Sequence, residues 1–416
     1  MIKGKITKNC RLCSSINLEK FINFGNVPVG NNLLNSKKKS FSVDKFPLKV
    51  LRCKKCNHFQ LSYKVSPKIL YAKNYTYLSG VAPSFKKHFN QYVKWIVKRC
   101  NLKNKNLILD VGSNDGTCLE EFKKKNFDVI GVDPAKIPAK IANKKGINTI
   151  NDFFNKNSAN KIKKKFGKVD FVTSHNVLAH IEENKEVFKS IYNILKKDGY
   201  FCFEVGYFLD VLRNNYFDTI YHEHLDYHHA YPLTKFLKKI GFSILNIETN
   251  KIQGGSIRIL CKKESKNYIY DQAKNFLKKE KISIIFNKNF LSSWENNVHS
   301  NCSKLNQLIN EKINLGYNVI GYGAPTKAVL LSKLSKFDKN LLKLTVEDNR
   351  KKINKYIPGT NIKIIDARIL KSLKPKFILL FAWNFYSDIL KILKKKFKKN
   401  KIFIIIPLPK IKIIKL

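Results

Sequence analysis

Short apolar runs alternate with longer amphipathic segments over the middle of the chain, between about residues 71 and 268. The runs that have the length and composition of buried strands lie at 106–111, 127–132, 169–174 and 199–205. Strands separated by helices pair in parallel through right-handed crossovers, so this region predicts a parallel sheet covered by helices. Two more runs, 242–248 and 256–261, follow each other without a helix and predict an antiparallel hairpin at the edge of that sheet.

The C-terminal part of the chain repeats this pattern on a smaller scale. A long segment with helical periodicity covers about residues 270–315, and four buried-strand runs follow it at 317–321, 342–346, 377–381 and 402–406. The pattern predicts a second, smaller α/β sheet. We therefore expect three domains with boundaries at 1–72, 73–268 and 269–416.

Composition narrows the class of protein. The chain has 416 residues and a mean hydropathy of −0.30, and it contains no apolar run of the roughly 20 residues that a membrane helix needs. Residues 1–9 are polar and do not read as a signal peptide. We expect a soluble cytoplasmic protein without a membrane partner. These features do not predict its oligomeric state.

The net charge of +50 raises the question of a nucleic-acid partner. The lysines are spread along the whole chain, whereas a nucleic-acid footprint should cluster on one face. We therefore expect a basic surface without a nucleic-acid partner, although the excess charge would attract a phosphorylated substrate.

Two CxxC pairs near the N-terminus predict a zinc site. Nine cysteines give no even disulfide framework, but Cys10, Cys13, Cys53 and Cys56 form two knuckles. Four thiolates complete a tetrahedron around Zn²⁺ and leave no open position, so the metal would be structural and would stabilise a module with a small core.

The segment LDVGSNDGT connects a predicted strand to a predicted helix. Its glycines allow a ligand close to the backbone, and an acid at the tip of the next strand can bind ribose hydroxyls. The GSNDG spacing differs from the GxGxxG of dinucleotide enzymes, which favours a cofactor without phosphate, such as S-adenosylmethionine, over NAD. The predicted cofactor-binding residues are Asp110, Gly112, Asn114, Asp115, Gly116 and Asp133.

Several motifs together resemble the NDP-sugar C-methyltransferases. The matching segments are the two CxxC pairs, YTYLSG, ILDVGSNDGT, HNVLAHI, FDTIYHEHLDY, QGGSIRI, GYGAPTKA, YIPGTNI and AWNF. The resemblance implies an α/β fold with a class I methyltransferase Rossmann-like core, an N-terminal zinc-binding module and a C-terminal α/β domain. It also implies transfer of a methyl group from S-adenosylmethionine to a ring carbon beside the ketone of a nucleotide-linked deoxysugar.

The segment FDTIYHEHLDYHHAYPL contains four of the nine histidines. Methylation of a carbon beside a ketone requires a base to remove the C–H proton and a hydrogen-bond donor for the enolate oxygen. The resemblance implies that Tyr221, Glu223 and His224 line the site. We favour His224 as the base, Glu223 as the residue that orients it or as the base itself, and Tyr221 as the donor to the oxygen.

Other residues are candidates for substrate contacts. Asn176 and His180 follow a strand end and are further catalytic candidates, because they can donate hydrogen bonds to a sugar hydroxyl or to the ketone. Tyr75 and Tyr77 can close over the sugar. Lys327, in the turn GYGAPTKA, is a candidate for holding the diphosphate. We expect His228 and His229 to be structural or to lie at the surface, and we expect no metal at the HEH sequence because adjacent ligands chelate poorly.

Two alternatives use the same features differently. An O-methyltransferase of a small hydroxylated acceptor would share the cofactor site but would not need the Tyr, Glu and His cluster. A zinc-containing protein that binds or modifies RNA would explain the basic charge, but the sequence shows no basic motif interleaved with aromatic residues of the kind that stacks on bases.

Overall fold

The computed structural model describes residues 3–71, 78–81, 83–337, 341–397 and 401–416. In the N-terminal module, strands and helices are short. They are β1 (Gly4–Ile6), β2 (Leu18–Pro28), α1 (Lys37–Phe41), β3 (Lys45–Cys53), β4 (Phe59–Leu61), β5 (Tyr63–Val65) and α2 (Pro67–Tyr71). Strands β2, β3 and β4 form an antiparallel sheet, and β1 pairs with β5.

The central region has the alternation of strands and helices that the sequence predicts. Its first half contains α3 (Pro83–Cys100), β6 (Leu107–Val111), α4 (Thr117–Lys123), β7 (Asp128–Val132), α5 (Lys136–Lys144), β8 (Asn148–Ile150), α6 (Lys156–Phe166) and β9 (Val169–His175). Its second half contains α7 (Asn184–Ile194), β10 (Leu195–Gly206), α8 (Phe208–Arg213), β11 (Asp226–Tyr227), α9 (Ala230–Ile240), β12 (Ser243–Asn250) and β13 (Ser256–Lys262).

Seven of these strands form one sheet in the order β12, β13, β10, β9, β6, β7, β8. Strand β13 is antiparallel to both neighbours, and the other pairings are parallel. This arrangement is the predicted Rossmann-like core with its antiparallel hairpin. The strands are apolar on both faces because helices cover both sides of the sheet.

The C-terminal region is a second α/β unit. It contains α10 (Asp271–Lys281), α11 (Lys288–Asn314), β14 (Val319–Tyr322), α12 (Ala328–Leu334), β15 (Leu344–Glu347), β16 (Lys363–Asp366), β17 (Phe377–Leu380), α13 (Tyr386–Lys396), β18 (Phe403–Ile406) and β19 (Lys412–Lys415). Its six strands lie in the order β16, β15, β14, β17, β18, β19, with only β18 and β19 antiparallel. The predicted helical stretch is thus two helices.

Strand β11 joins the central region to the N-terminal module. Asp226 and Tyr227 pair antiparallel with Gln60 and Phe59, so β11 becomes the fourth strand of the N-terminal sheet. The segment that contains FDTIYHEH is therefore fixed against the module by main-chain hydrogen bonds. Within the described residues, no helix combines the length and the apolar character needed to cross a membrane.

Candidate active site and zinc centre

The turn after β6 brings the backbone close to its neighbours. Gly112 has a φ of +77°, and a Cβ atom there would lie 2.2 Å from a side-chain carbon of Val177. Its N–H donates to the carbonyl oxygen of Val132, the last residue of β7. Glycine is therefore required at this position, because a side chain would be both strained and too crowded.

A pocket opens at the C-terminal ends of β6, β7 and β9. Four of the six predicted cofactor residues line it, namely Asp110, Gly112, Asn114 and Asp133. The other two shape the turn. Asp115 accepts hydrogen bonds from the Thr117 hydroxyl and the Gly80 N–H, and Gly116 precedes helix α4 with a φ of +75°.

The electrostatics of this pocket suit a cation. One carboxyl oxygen of Asp110, Oδ1, is buried without a hydrogen-bond partner among the described residues. Burial, together with the charge of Asp133, raises the pKa of Asp110 to about 8, and burial also raises the pKa of Asp133. S-adenosylmethionine carries a sulfonium and an ammonium group, whereas a dinucleotide would place a pyrophosphate near these acids. The residues therefore fit S-adenosylmethionine.

A buried ionic cluster supports one wall of the pocket, and the sequence did not indicate it. Glu204 Oε2 lies 2.7 Å from His88 Nε2 and 3.2 Å from His175 Nδ1, and Oε1 accepts from Arg258 Nε at 2.6 Å. His175 itself lines the pocket. Although burial opposes ionisation, hydrogen bonds from the histidines and the charge of Arg258 hold the pKa of Glu204 well below its usual range.

The structure brings Tyr221, His224 and His180 together. The Tyr221 hydroxyl oxygen lies 2.8 Å from His224 Nε2, and the ring centres of His180 and His224 are 4.8 Å apart. His180 ends the 3-10 turn Leu178–His180, which follows Asn176. Asn176 lines the cofactor pocket, so this turn connects the pocket to the FDTIYHEH segment.

The tautomer of His224 follows from its second hydrogen bond. Nδ1 lies 2.9 Å from the carbonyl oxygen of Thr219, which can only accept, so Nδ1 carries the proton and Nε2 has the lone pair. Burial lowers the pKa of His224 to about 3 and keeps the ring neutral. Thr219, rather than Glu223, orients His224 in this structure.

Glu223 lies in the same buried region with different partners. Its Oε1 accepts from the side-chain amide of Asn31 at 3.0 Å, and its Oε2 has no hydrogen-bond partner among the described residues. Burial raises the pKa of Glu223 to about 7. Asn31 belongs to the N-terminal module, and no motif in the sequence indicated that it reaches the site.

The turn GYGAPTKA also contacts this region. The Thr326 hydroxyl donates to the side-chain oxygen of Asn31 at 2.7 Å. Lys327 is buried, donates to Asn384 at 2.6 Å and lies 3.7 Å from the ring centre of Trp383. The indole N–H of Trp383 donates to Asp218, at the start of FDTIYHEH. Burial lowers the pKa of Lys327 to about 8.

The predicted substrate residues Tyr75 and Tyr77 lie outside the described residues. The segment that follows them rests on the cofactor turn. The N–H groups of Ser79 and Gly80 donate to the side chains of Asn114 and Asp115, each at 2.9 Å.

The four predicted cysteines form one cluster. Their sulfur atoms all lie within 4.8 Å of one another, with Cys10 and Cys56 3.5 Å apart and Cys13 and Cys53 3.6 Å apart. A tetrahedral ion with Zn–S bonds of about 2.3 Å would hold its sulfur ligands about 3.8 Å apart. The cluster therefore fits zinc.

A buried carboxylate ties this centre to the segment that bears the catalytic candidates. Asp226 accepts from Arg11 Nε, His58 Nε2 and Asn184 Nδ2, each at 2.8 Å. Although burial opposes its ionisation, the charge of Arg11 and the hydrogen bond from His58 hold the pKa of Asp226 well below its usual range.

The remaining histidines of the segment pack inside the protein. His222 and His228 are buried, and His229 bonds through its two ring nitrogens to Glu280 and to the carbonyl oxygen of Asn57. Of the two placements expected for His228 and His229, structural or at the surface, the burial of both residues excludes the surface.

Comparison with models of protein families assigns three domains in succession. Residues 10–71 match a domain described as zinc-binding, residues 85–247 match a methyltransferase domain, and residues 251–409 match a C-methyltransferase C-terminal domain. These matches confirm the predicted fold class and the predicted combination of a zinc-binding domain, a methyltransferase domain and a C-methyltransferase C-terminal domain. The predicted cofactors, S-adenosylmethionine and structural zinc, are confirmed as well. The residue boundaries of the domains stay a prediction.

Individual proteins also resemble the chain. The C-methyltransferase NovU of Streptomyces niveus is 28% identical over 406 residues, which cover 97% of this chain and 96% of that protein. The magnesium protoporphyrin IX methyltransferase of Synechocystis with bound SAM is 16% identical, covers 43% of this chain and 79% of its own, and has a TM-score of 0.33. An S-adenosylmethionine-dependent methyltransferase from Clostridium acetobutylicum is 17% identical, covers 43% and 92%, and has a TM-score of 0.36.

Proposed function

The chain belongs to the family of S-adenosylmethionine-dependent C-methyltransferases with a zinc-binding N-terminal domain, and from this premise we propose its acceptor and mechanism. The acceptor is a nucleotide-linked keto-deoxysugar, and the methyl group goes to a ring carbon adjacent to the ketone. Support for a carbon acceptor comes from the cluster of the buried Glu223 with the half-buried Tyr221 and His224, because transfer to oxygen needs no carbon acid.

The observation that carries this proposal is the hydrogen bond between the Tyr221 hydroxyl and the unprotonated Nε2 of His224. When a ketone binds, the hydroxyl turns to its oxygen and leaves the Nε2 lone pair available. His224 then removes the C–H proton while Tyr221 stabilises the enolate oxygen. The enolate carbon accepts the methyl group.

Glu223 is the alternative base. Its pKa of about 7 matches neutral pH better than the pKa of His224, and proton transfer is most effective when the two are close. With His224 as base, an ionised Glu223 stabilises the imidazolium that forms. Both routes require the carboxylate.

The other predicted residues take the following roles. S-adenosylmethionine supplies the methyl group when bound, and Asp110, Gly112, Asn114 and Asp133 hold it, with Asp115 and Gly116 shaping their turn. Asn176 and His180 are further catalytic residues that donate hydrogen bonds to a sugar hydroxyl or to the ketone. The substrate-binding residues are Tyr75, Tyr77 and Lys327.

The test uses S-adenosylmethionine with a ¹³C-labelled methyl group and a panel of nucleotide-linked 4-keto-6-deoxysugars, followed by NMR. A new methyl signal bonded to carbon supports the proposal and identifies the acceptor. The label on oxygen would contradict the enolate mechanism, and RNA binding that weakens with salt, without transfer to any sugar, would contradict the substrate class.

A further inference from the structure

Three parts of the chain meet at one carboxyl group. Glu223 accepts a hydrogen bond from Asn31, which lies 192 residues earlier, and Asn31 in turn accepts one from Thr326, which lies 295 residues after it. Asn31 belongs to the N-terminal module and Thr326 to the turn GYGAPTKA. The carboxyl group of Glu223 is thus connected to both outer domains through one amide.

The backbone is built for this approach. A Cβ atom on Gly30 would lie 2.3 Å from the carbonyl oxygen of Thr326, so only glycine allows the two segments to come so close. Helix α12, which follows the turn, is fixed to the same module because Lys333 donates to the carbonyl oxygens of Phe24 and Asn26 at 2.7 Å.

The two hydrogen bonds have a definite direction. A Thr326 hydroxyl that donates to Asn31 Oδ1 keeps the NH₂ group of Asn31 turned towards Glu223. Such a donor favours the ionised carboxylate. A flipped amide would instead present its oxygen to Glu223 and disfavour that charge.

We propose that Asn31 is a positioning residue that orients and stabilises the carboxylate of Glu223, and that Thr326 fixes the Asn31 amide for this task. The inference rests on the proposed function, in which the side chain of Glu223 takes part in the reaction as an ionised carboxylate. It adds that the active carboxylate is complete only when the N-terminal module and the C-terminal turn are both in place.

Other titratable groups face Glu223. Tyr221 and His224 flank it in sequence, His180 approaches its main chain from the 3-10 turn, and Tyr227 approaches from β11. Burial keeps both histidines neutral and raises the pKa of Tyr227, so His180, His224 and Tyr227 do not change charge near pH 7. A change in the titration of Glu223 can therefore be assigned to Asn31.

The experiment measures the titration of Glu223 by NMR in full-length, zinc-loaded protein labelled with ¹³C at the glutamate δ carbon. The Glu223 signal is identified by its loss in Glu223→Gln. The variants are Asn31→Leu, which removes the amide, Thr326→Val, which removes only the hydroxyl, and Thr326→Ser, which retains it. Ser40→Ala is the matched control because Ser40 makes other hydrogen bonds, to Ile357 and Thr360, between the same two domains.

We expect Asn31→Leu and Thr326→Val to raise the pKa of Glu223 by about one unit, the effect of losing one hydrogen bond to a charged group. Thr326→Ser and Ser40→Ala should leave it unchanged. With a ketosugar acceptor, the pH profile of kcat should move to higher pH by the same amount in the first two variants only.

An unchanged Glu223 titration in Asn31→Leu, with S-adenosylmethionine binding and melting temperature as in the wild type, would overturn the inference. The titration does not depend on turnover. If no ketosugar is methylated, the proposed function fails, while the role of Asn31 is still decided by NMR.

Discussion

The Tyr221 hydroxyl lies 2.8 Å from Nε2 of His224, the nitrogen that the Thr219 carbonyl leaves unprotonated. The same phenolic proton can therefore serve His224 or a substrate oxygen, but not both. Binding of a ketone would move this proton and expose the basic nitrogen. In the proposed mechanism, with His224 as the base, this hydrogen bond keeps the base covered until the ketone that acidifies the C–H bond has bound.

Replacing Tyr221 by phenylalanine should slow methyl transfer. We expect kcat to fall by about 10²- to 10³-fold, because one donor to the enolate oxygen is lost. The affinity for S-adenosylmethionine should stay the same, since Tyr221 is not among the residues that line the cofactor pocket. Single-turnover transfer of a ¹³C methyl group measures the rate, and calorimetry measures cofactor binding.

Tyr207→Phe is the matched control for this experiment. The hydroxyl of Tyr207 is buried and donates to Glu280 at 2.8 Å. Its loss should lower the melting temperature without changing the rate of transfer. Equal rates in Tyr221→Phe and the wild type would show that the phenol has no part in the reaction.

The rate should depend on pH through Glu223. Its pKa in the folded protein is raised by burial to about 7, so the carboxyl group is protonated below that pH and ionised above it. Because the proposed mechanism requires the ionised form, kcat should rise about tenfold per pH unit below 7 and level off above it. The Glu223→Gln variant should lose this rise, since burial lowers the pKa of His224 to about 3. A rise of the same shape in the variant would assign it to another group.

Asp226 should be important for stability rather than chemistry. Replacing it by alanine leaves the Arg11 guanidinium buried without its carboxylate, and breaking such a buried pair costs about 3–5 kcal/mol. The control is Glu182→Ala, which removes an ion pair between Glu182 and Lys64. Because the Glu182 side chain is 41% exposed, this loss should lower the free energy of unfolding by at most about 1 kcal/mol. Urea unfolding measures the free energy of unfolding of both variants. Equal decreases in the two variants would contradict a special role for Asp226 in stability.

The fold was largely predictable because the buried strands are continuous apolar runs. Residues 106–111 and 169–174 were predicted as strands, and the structure has Leu107–Val111 and Val169–His175. Within the two α/β sheets, the strands that were not predicted are β8, β16 and β19, which have three or four residues each. Strand β19 is KIIK, and a lysine-flanked run of this length looks like any exposed segment.

The site was predictable only where its residues are neighbours in sequence. Each predicted group consists of residues only a few positions apart in the sequence. These groups are the cysteine knuckles, the cofactor turn and the run from Tyr221 to His224. Asn31 reaches Glu223, and Thr326 reaches Asn31, only through the docking of three domains, which no local pattern encodes. The sequence also does not predict that the pKa of Glu223 lies above that of His224, because both shifts result from burial in the folded chain.

Removing zinc should impair methyl transfer even though the cysteine cluster takes no part in the chemistry. Strand β11 belongs to the same sheet as β3 and β4, and Cys53 ends β3. Loss of the metal should loosen this sheet and release Asp226, two residues after His224. We expect chelation to lower both the melting temperature and kcat. Cofactor affinity should change little, because the pocket lies on β6, β7 and β9.

The single-residue version of this experiment compares two buried or partly buried cysteines. Cys13→Ala removes one sulfur from the cluster, whereas Cys302→Ala removes a cysteine from helix α11. Zinc content by mass spectrometry should fall only in the first variant, and its kcat should fall with it. A Cys13→Ala protein that has lost zinc but transfers methyl groups at the wild-type rate would show that Tyr221 and His224 are positioned without the metal.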